Sequence, residues 1–151
     1  MTEAPVRLPA PLDDIGDAFR TLRDSGRRVT LGVRMVLEVL FAAEDPLPAE
    51  AVAQRAGLEG DLSSVYRNLE RLQQVGIVSH VHAGHGPGLY ALARGRDREY
   101  LVCDRCRRLT LAQPGDLDAV RARLRDDFGY LADFSHFPIH GVCPDCADAP
   151  R

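Results

Sequence analysis

Apolar residues recur at helical spacing through the first half of the chain and at strand spacing in several later stretches. Leu12, Ile15, Phe19 and Leu22 predict a helix over 12–24 that Gly26 ends. Thr30 fits the N-cap of a second helix over 31–43, in which Met35, Val36, Val39 and Leu40 form the buried stripe. A short helix over 49–56 runs into Gly57. A longer one over 62–75 puts Leu62, Val65, Leu69, Leu72 and Val75 on one face and Ser63, Ser64, Arg67, Asn68 and Arg71 on the other, with Gly76 as its stop. Residues 77–82 and 89–93 read as two strands joined by a glycine-rich turn. Three or four helices followed by a hairpin form the pattern of a winged helix-turn-helix, whose last helix enters the major groove.

The pattern changes after Ala93. Arg94-Gly95-Arg96-Asp97-Arg98 reads as a hinge, 94–98, between an N-terminal domain, 1–93, and a second domain, 99–151. Strands over 99–103 and 108–112 come next, then a helix over 116–128 capped by Gly115 or Asp116, with Leu117, Val120 and Leu124 inward. A strand over 133–142 completes a β-β-α-β order.

Composition narrows the class. A length of 151 residues suits one domain or two small ones, and 45% hydrophobic with 27% charged residues is ordinary for a soluble globular chain. No apolar run approaches the roughly 20 residues needed to span a bilayer. Residues 1–11 lack an apolar signal core and read as a loose arm, so a cytoplasmic location without membrane contact is expected. All 19 basic residues are arginine and the net charge is −3. That total argues against coating nucleic acid non-specifically and leaves room for a local basic face.

The chemistry lies in four cysteines, arranged as Cys103-Asp104-Arg105-Cys106 and Cys143-Pro144-Asp145-Cys146. A two-residue gap lets both thiolates of a pair turn toward one tetrahedral ion, and two pairs complete a four-cysteine zinc site. A redox dithiol or a pair of disulfides would use the same spacing. Two pairs with no cysteine left over, in a reducing compartment, favour structural zinc. The 36 residues between Cys106 and Cys143 hold a helix and two strands, so such a zinc pins the end of the domain to its start. No nucleophile–base pair, phosphate loop or pair of catalytic carboxylates is recognisable, which points away from an enzyme.

Gly26-Arg27-Arg28-Val29-Thr30, Val36-Leu37-Glu38-Val39-Leu40, Ser64-Val65-Tyr66-Arg67-Asn68-Leu69, Gly76-Ile77-Val78, Tyr90 and the two cysteine pairs occur in one order. In that order the chain resembles the ferric uptake regulator family of bacterial metal-responsive repressors, from about Ile15 to Cys146. The resemblance implies an α+β homodimer: an N-terminal winged helix-turn-helix domain, then a small α/β dimerisation domain with a four-cysteine zinc site. It also implies a regulatory metal that closes the dimer onto double-stranded operator DNA. Tyr66 and Arg67 align with major-groove and phosphate contacts, Ser63 and Ser64 open the same helix, and Arg71 and Arg28 complete the DNA-facing set. Where relatives often carry arginine three residues after the threonine, this chain has Val33, next to Arg34.

The sensor is where the chain departs furthest. The histidine run that many relatives carry before the first cysteine pair reads Arg96-Asp97-Arg98-Glu99-Tyr100 here. His80 and His82 alternate on one strand, about 7 Å apart at Cα, which is chelating distance, and His85 in the turn can fold back toward them. His136 and His140 share a strand face some 13 Å apart, too far to serve one ion. By alignment His136 and Asp118 fall at or near family ligand positions, and Glu99 or Asp97 could complete that site. His140-Gly141 and the lost histidine run are similar to the zinc-uptake regulator branch. The expected function is a metal-dependent transcriptional repressor, zinc-responsive, acting on metal-uptake genes, with structural Zn2+ and a second regulatory divalent ion, Zn2+. The alternatives are an iron-, manganese-, nickel- or peroxide-responsive member, or a zinc-stabilised DNA-binding protein without a regulatory metal.

Overall fold

A computed structural model describes residues 12–84, 86–93, 98–134 and 137–149. Asp14 opens helix α1 (Ile15–Asp24) with a reciprocal capping box. Its carboxylate accepts the Asp17 N–H at 2.9 Å, and the Asp17 carboxylate accepts the Asp14 N–H at 3.2 Å. Helix α2 (Leu31–Ala42) starts at Thr30, whose hydroxyl accepts the Val33 N–H at 3.2 Å. Its fully buried positions are Val33, Val36, Leu37 and Leu40, and the expected stripe members Met35 and Val39 lie at its margins. The stripe is rotated because α2 packs against α1 and also against α3 (Ala49–Ala56) and α4 (Leu62–Gln74), so its apolar face widens.

Gly57, at φ 69°, ends α3 in the left-handed conformation that glycine adopts without strain. Asp61 caps α4 by accepting the Ser64 N–H at 3.2 Å. Asn68 corrects the polar face expected for this helix: three residues after Val65 it falls on the inner side and is buried with Val65, Leu69 and Leu72. A Cβ at position 32 would stand 3.0 Å from its Nδ2, so Gly32 leaves the Asn68 amide its room where α2 approaches α4. Strands β2 (Val78–Val81) and β3 (Leu89–Leu92) form a three-stranded sheet with β1 (Leu47–Pro48) in the order β1-β3-β2. Four helices and this small sheet make a winged helix.

The chain divides into two compact units, Met1–His80 with Tyr90–Arg96, and Val81–Leu89 with Asp97–Arg151. In the second, β4 (Tyr100–Cys103) is the central strand. It pairs antiparallel with β5 (Leu109–Leu111) and parallel with β6 (Ile139–Gly141), in a register that sets Cys103 opposite Gly141. Helix α5 (Asp118–Phe128) separates β5 from β6, and the short α6 (Pro144–Ala147) carries the second cysteine pair. The β-β-α-β order is as expected, and two boundaries are not. The strand expected over 133–142 is only three residues long, because residues 131–134 carry no regular structure and Pro138 has no N–H to give a ladder. Leu117, not Gly115 or Asp116, occupies the N-cap of α5, and the Asp116 carboxylate instead accepts the Gln113 N–H at 2.8 Å.

Of the three residues expected inward on α5, Leu117 is buried and Leu124 half-buried, while Val120 is 43% exposed. Charged side chains at 118, 121, 123 and 125–127 surround the helix and leave no apolar stripe wide enough to bury. Among the described residues the buried apolar side chains of the second unit are Val81, Tyr100, Val102, Cys103 and Leu117, far fewer than the first unit holds. A core this thin needs reinforcement from outside the apolar side chains. No helix among the described residues is long and apolar enough to cross a membrane.

Candidate metal centre and nucleic-acid interface

Parallel pairing of β4 with β6 brings both cysteine pairs to the same end of one sheet. Cys103 is the last residue of β4, and Cys143 follows β6 by two residues. The four Sγ atoms all lie within 4.8 Å of one another, and those of Cys106 and Cys143 are 3.7 Å apart. A disulfide needs about 2.05 Å, so these are free thiols. Four sulfurs at about 2.3 Å from a central zinc would stand about 3.8 Å apart along each tetrahedral edge, close to the Cys106–Cys143 separation. The donor set and its spacing therefore fit zinc.

Backbone donors reinforce the sulfur cluster. The N–H groups of Cys106 and Cys143 approach Cys103 Sγ at 3.5 and 3.3 Å and pull the Cys103 thiol down to about 6. Cys146 moves the other way, up to about 12, because the Cys143 and Cys106 sulfurs hydrogen-bond its protonated form. Outside the sulfurs, Arg105 Nη1 donates to the Cys146 carbonyl at 2.6 Å, and Arg108 Nη1 reaches Asp145 Oδ2 at 2.7 Å. Both arginines join the first pair to the second.

In the first unit, α4 leaves Ser63, Tyr66, Arg67 and Arg71 exposed on the side away from Leu69, with Ser64 half-buried at the helix start. Arg67 Nη2 donates to Ser64 Oγ at 2.9 Å. Asp61 accepts from Ser64, side chain first and then backbone, and with the Arg67 charge nearby its carboxyl is held below the ordinary 3.8. Tyr66, 40% exposed, donates its hydroxyl to Glu50 Oε1 at 3.1 Å, and this bond raises its pKa above the usual value. Arg28 is exposed. Val33, at the position that departs from the family pattern, is buried, and its neighbour Arg34 lies over the Phe19 ring at 4.8 Å.

The candidate sensor residues are distributed among different neighbours. His80, on β2, stacks on Tyr90 with ring centroids 4.6 Å apart. His82 lies just beyond the end of β2, and its ring faces Phe137 at 6.0 Å. Glu99 and Asp118 are both ion-paired to Arg121, Asp118 at 2.8 Å. His140 Nδ1 is 2.8 Å from Asp104 Oδ1. His85, Asp97 and His136 lie outside the described residues. Among the described residues the four cysteines are the one group of three or more His, Cys, Asp or Glu side chains whose ligand atoms converge. Three participants escaped the sequence reading: Glu50, Asp104 and Arg121. Only the Asp118–Arg121 contact, at i,i+3 on one helix, has a local signal.

A family model described as the ferric uptake regulator family matches residues 24–133. The ferric uptake regulation protein of Neisseria meningitidis serogroup A is 32% identical over 130 residues, which span 83% of this chain and 90% of that protein. The Helicobacter pylori ferric uptake regulator superposes with a TM-score of 0.74 at 16% identity, covering 94% of this chain and 99% of that one. For the Vibrio cholerae ferric uptake regulator the TM-score is 0.65 at 25% identity, with 83% and 98% covered.

Proposed function

The chain belongs to the ferric uptake regulator family, and on that footing we propose that it is a metal-dependent transcriptional repressor whose corepressor is zinc. One observation carries the reading: a winged helix that exposes Ser63, Tyr66, Arg67 and Arg71 along its fourth helix shares a chain with a four-thiol cluster of tetrahedral dimensions. In this reading residues 1–93 bind DNA, 94–98 form the hinge and 99–151 carry dimerisation and metal. Tyr66 and Arg67 meet the major groove and its phosphates. Ser63, Ser64, Arg71 and Arg28 secure the register on the backbone.

Cys103, Cys106, Cys143 and Cys146 hold the structural zinc. Bound there, zinc supplies coordinate bonds that compensate for a thin core, an effect of about 10–16 kcal/mol in small zinc peptides. Four thiolates close that coordination sphere, so the response to metal belongs to a second site. Its candidates are His80, His82 and His85, with Glu99, Asp97, Asp118 and His136. Preferential binding to the closed dimer by about 1–3 kcal/mol gives a 5–150-fold change in operator affinity. Homodimerisation through the second unit is supported by Leu101, Leu111, Phe128, Leu131 and Val142, large apolar side chains exposed in the single chain.

A titration of binding to a palindromic operator with zinc, iron(II), manganese and nickel tests the proposal. Zinc is expected to act at the lowest free concentration, and a stronger response to another ion moves the protein to a different branch. The ion pairs of Arg121 with both Glu99 and Asp118 favour a second reading, a zinc-stabilised DNA-binding protein without regulatory metal. Operator binding unaffected by any added ion would establish it.

A further inference from the structure

We propose that His82 and His140 jointly ligate the second divalent ion, with Asp104 holding His140 in the ligating tautomer. The inference rests on the reading above and gives its regulatory site a ligand pair that sequence spacing did not bring together.

His82 and His140, 58 positions apart, line one open cavity of about 470 Å3 with Gly84 and Phe137. All four residues belong to the same compact unit. The cavity is far larger than an ion, so water can fill the coordination positions that two imidazoles leave open. A carboxylate accepts across the 2.8 Å contact with Asp104 Oδ1, so in the neutral imidazole the proton sits on Nδ1 and the lone pair on Nε2 is available to an ion. A carboxylate behind a histidine is the arrangement that orients metal-ligating imidazoles and raises their basicity.

Two backbone features position these residues. The β4–β6 register and the 2.8 Å bond from the Asp104 N–H to the Gly141 carbonyl set Asp104 beside His140. Near His82, Gly84 at φ 70° lies against the Arg107 guanidinium, and Arg107, directly after Cys106, itself adopts φ 63°. The turn that follows His82 is thus packed on the same cysteine knuckle that supplies Asp104. Imidazole nitrogens with water suit zinc, nickel or cobalt(II) over magnesium or calcium.

The test uses the full chain with one zinc in the cysteine cluster, titrated with Co2+ and followed by visible absorption and metal analysis. Wild type is expected to take up a second ion per protomer, with weak d–d bands and no additional sulfur-to-metal charge transfer. His82→Ala and His140→Ala each lower its affinity at least ~10-fold, and Asp104→Asn lowers it by about 10–100-fold. Retention of the cysteine-bound zinc and an unchanged unfolding midpoint show that each variant is folded, and His140→Gln repeats the loss with a similar volume. If His140→Ala and Asp104→Asn bind the second ion like wild type, the inference is overturned and a sensor built on His80, His82 and His136 survives. If wild type takes up no second ion, the inference and the metal-sensing reading both fall.

Discussion

Glu99 and Asp118 share a single guanidinium. Arg121 contacts the Glu99 carboxylate through Nη2 and lies 2.8 Å from Asp118 Oδ1 through Nη1. The two ends differ in environment, since the Glu99 side chain is 14% exposed and that of Asp118 75%. The Glu99 pair is therefore the stronger, being less screened by water. Asp118 and Glu99, two of the carboxylates expected at the regulatory metal, thus already have a cation between them.

Arg121→Gln is expected to cost about 1–2 kcal/mol, above the range of exposed pairs and below that of fully buried ones. It is also expected to raise the affinity of the freed carboxylates for a divalent ion. Denaturant unfolding and isothermal titration measure the two effects, and a variant with no added metal affinity refutes the idea that the arginine occupies the position.

Removing metal from the cysteine cluster should unfold the second unit and leave the first intact. A chelator or Cys143→Ser is expected to abolish the zinc content and the dimer, while helical circular dichroism from α1–α4 persists. Re-formation of the site should depend on pH through the four thiols, which must lose their protons to bind metal. The Cys106 and Cys143 N–H groups that draw the Cys103 thiol from 9 down to about 6 act only once the unit is folded, so in the metal-free unfolded segment assembly is slowed progressively as pH falls and protons compete for the sulfurs. Zinc uptake rates measured between pH 5 and 8 check this.

Tyr66 donates to Glu50 in the DNA-free chain. Glu50→Gln removes a negative charge beside the proposed groove-facing helix and is expected to strengthen operator binding 2–10-fold, within the 1.4 kcal/mol that corresponds to a factor of about ten. Because the Glu50 bond is the largest cause of the raised tyrosine pKa, the substitution should also lower the pH at which Tyr66 ionises. Ultraviolet titration reads that shift, and fluorescence anisotropy reads the affinity.

The cap of α4 should be sensitive to acid. Asp61 has its folded pKa depressed below 3.8, chiefly by Ser64, so its contribution to stability is complete above the unfolded value and disappears as pH falls through the folded one. Asp61→Asn keeps a capping oxygen and cannot titrate. The variant is expected to show a flatter loss of stability below about pH 4 than wild type, measured by thermal unfolding in a pH series.

The parts of this structure legible in the sequence are those set by neighbours along the chain. Thr30 and Gly57 mark their helix ends through contacts within a few residues, and the Cys-x-x-Cys gaps fix two thiols at a time. Asn68 was misplaced because a helical pattern shows only which side is mostly polar. It is buried against α2, where Gly32, 36 residues earlier, leaves its amide room. The short β6 and the Asp104–His140 contact follow from a parallel pairing across α5, and periodicity in one segment carries no trace of the strand it will lie beside. The Glu99–Arg121 pair escaped for the same reason.

That parallel pairing has a consequence for biosynthesis. The middle strand of the second sheet leaves the ribosome with only β5 available, and its other edge stays open until residues 139–141 have been made. Two of the four thiols come later still, at 143 and 146. The helical half can fold while translation continues, as N-terminal domains generally do. The metal-binding half has to wait for its last segment, and until then it presents an open strand edge and two solitary thiols to chaperones and oxidants. On the proposed function, metal supply during that interval would limit the yield of folded protein.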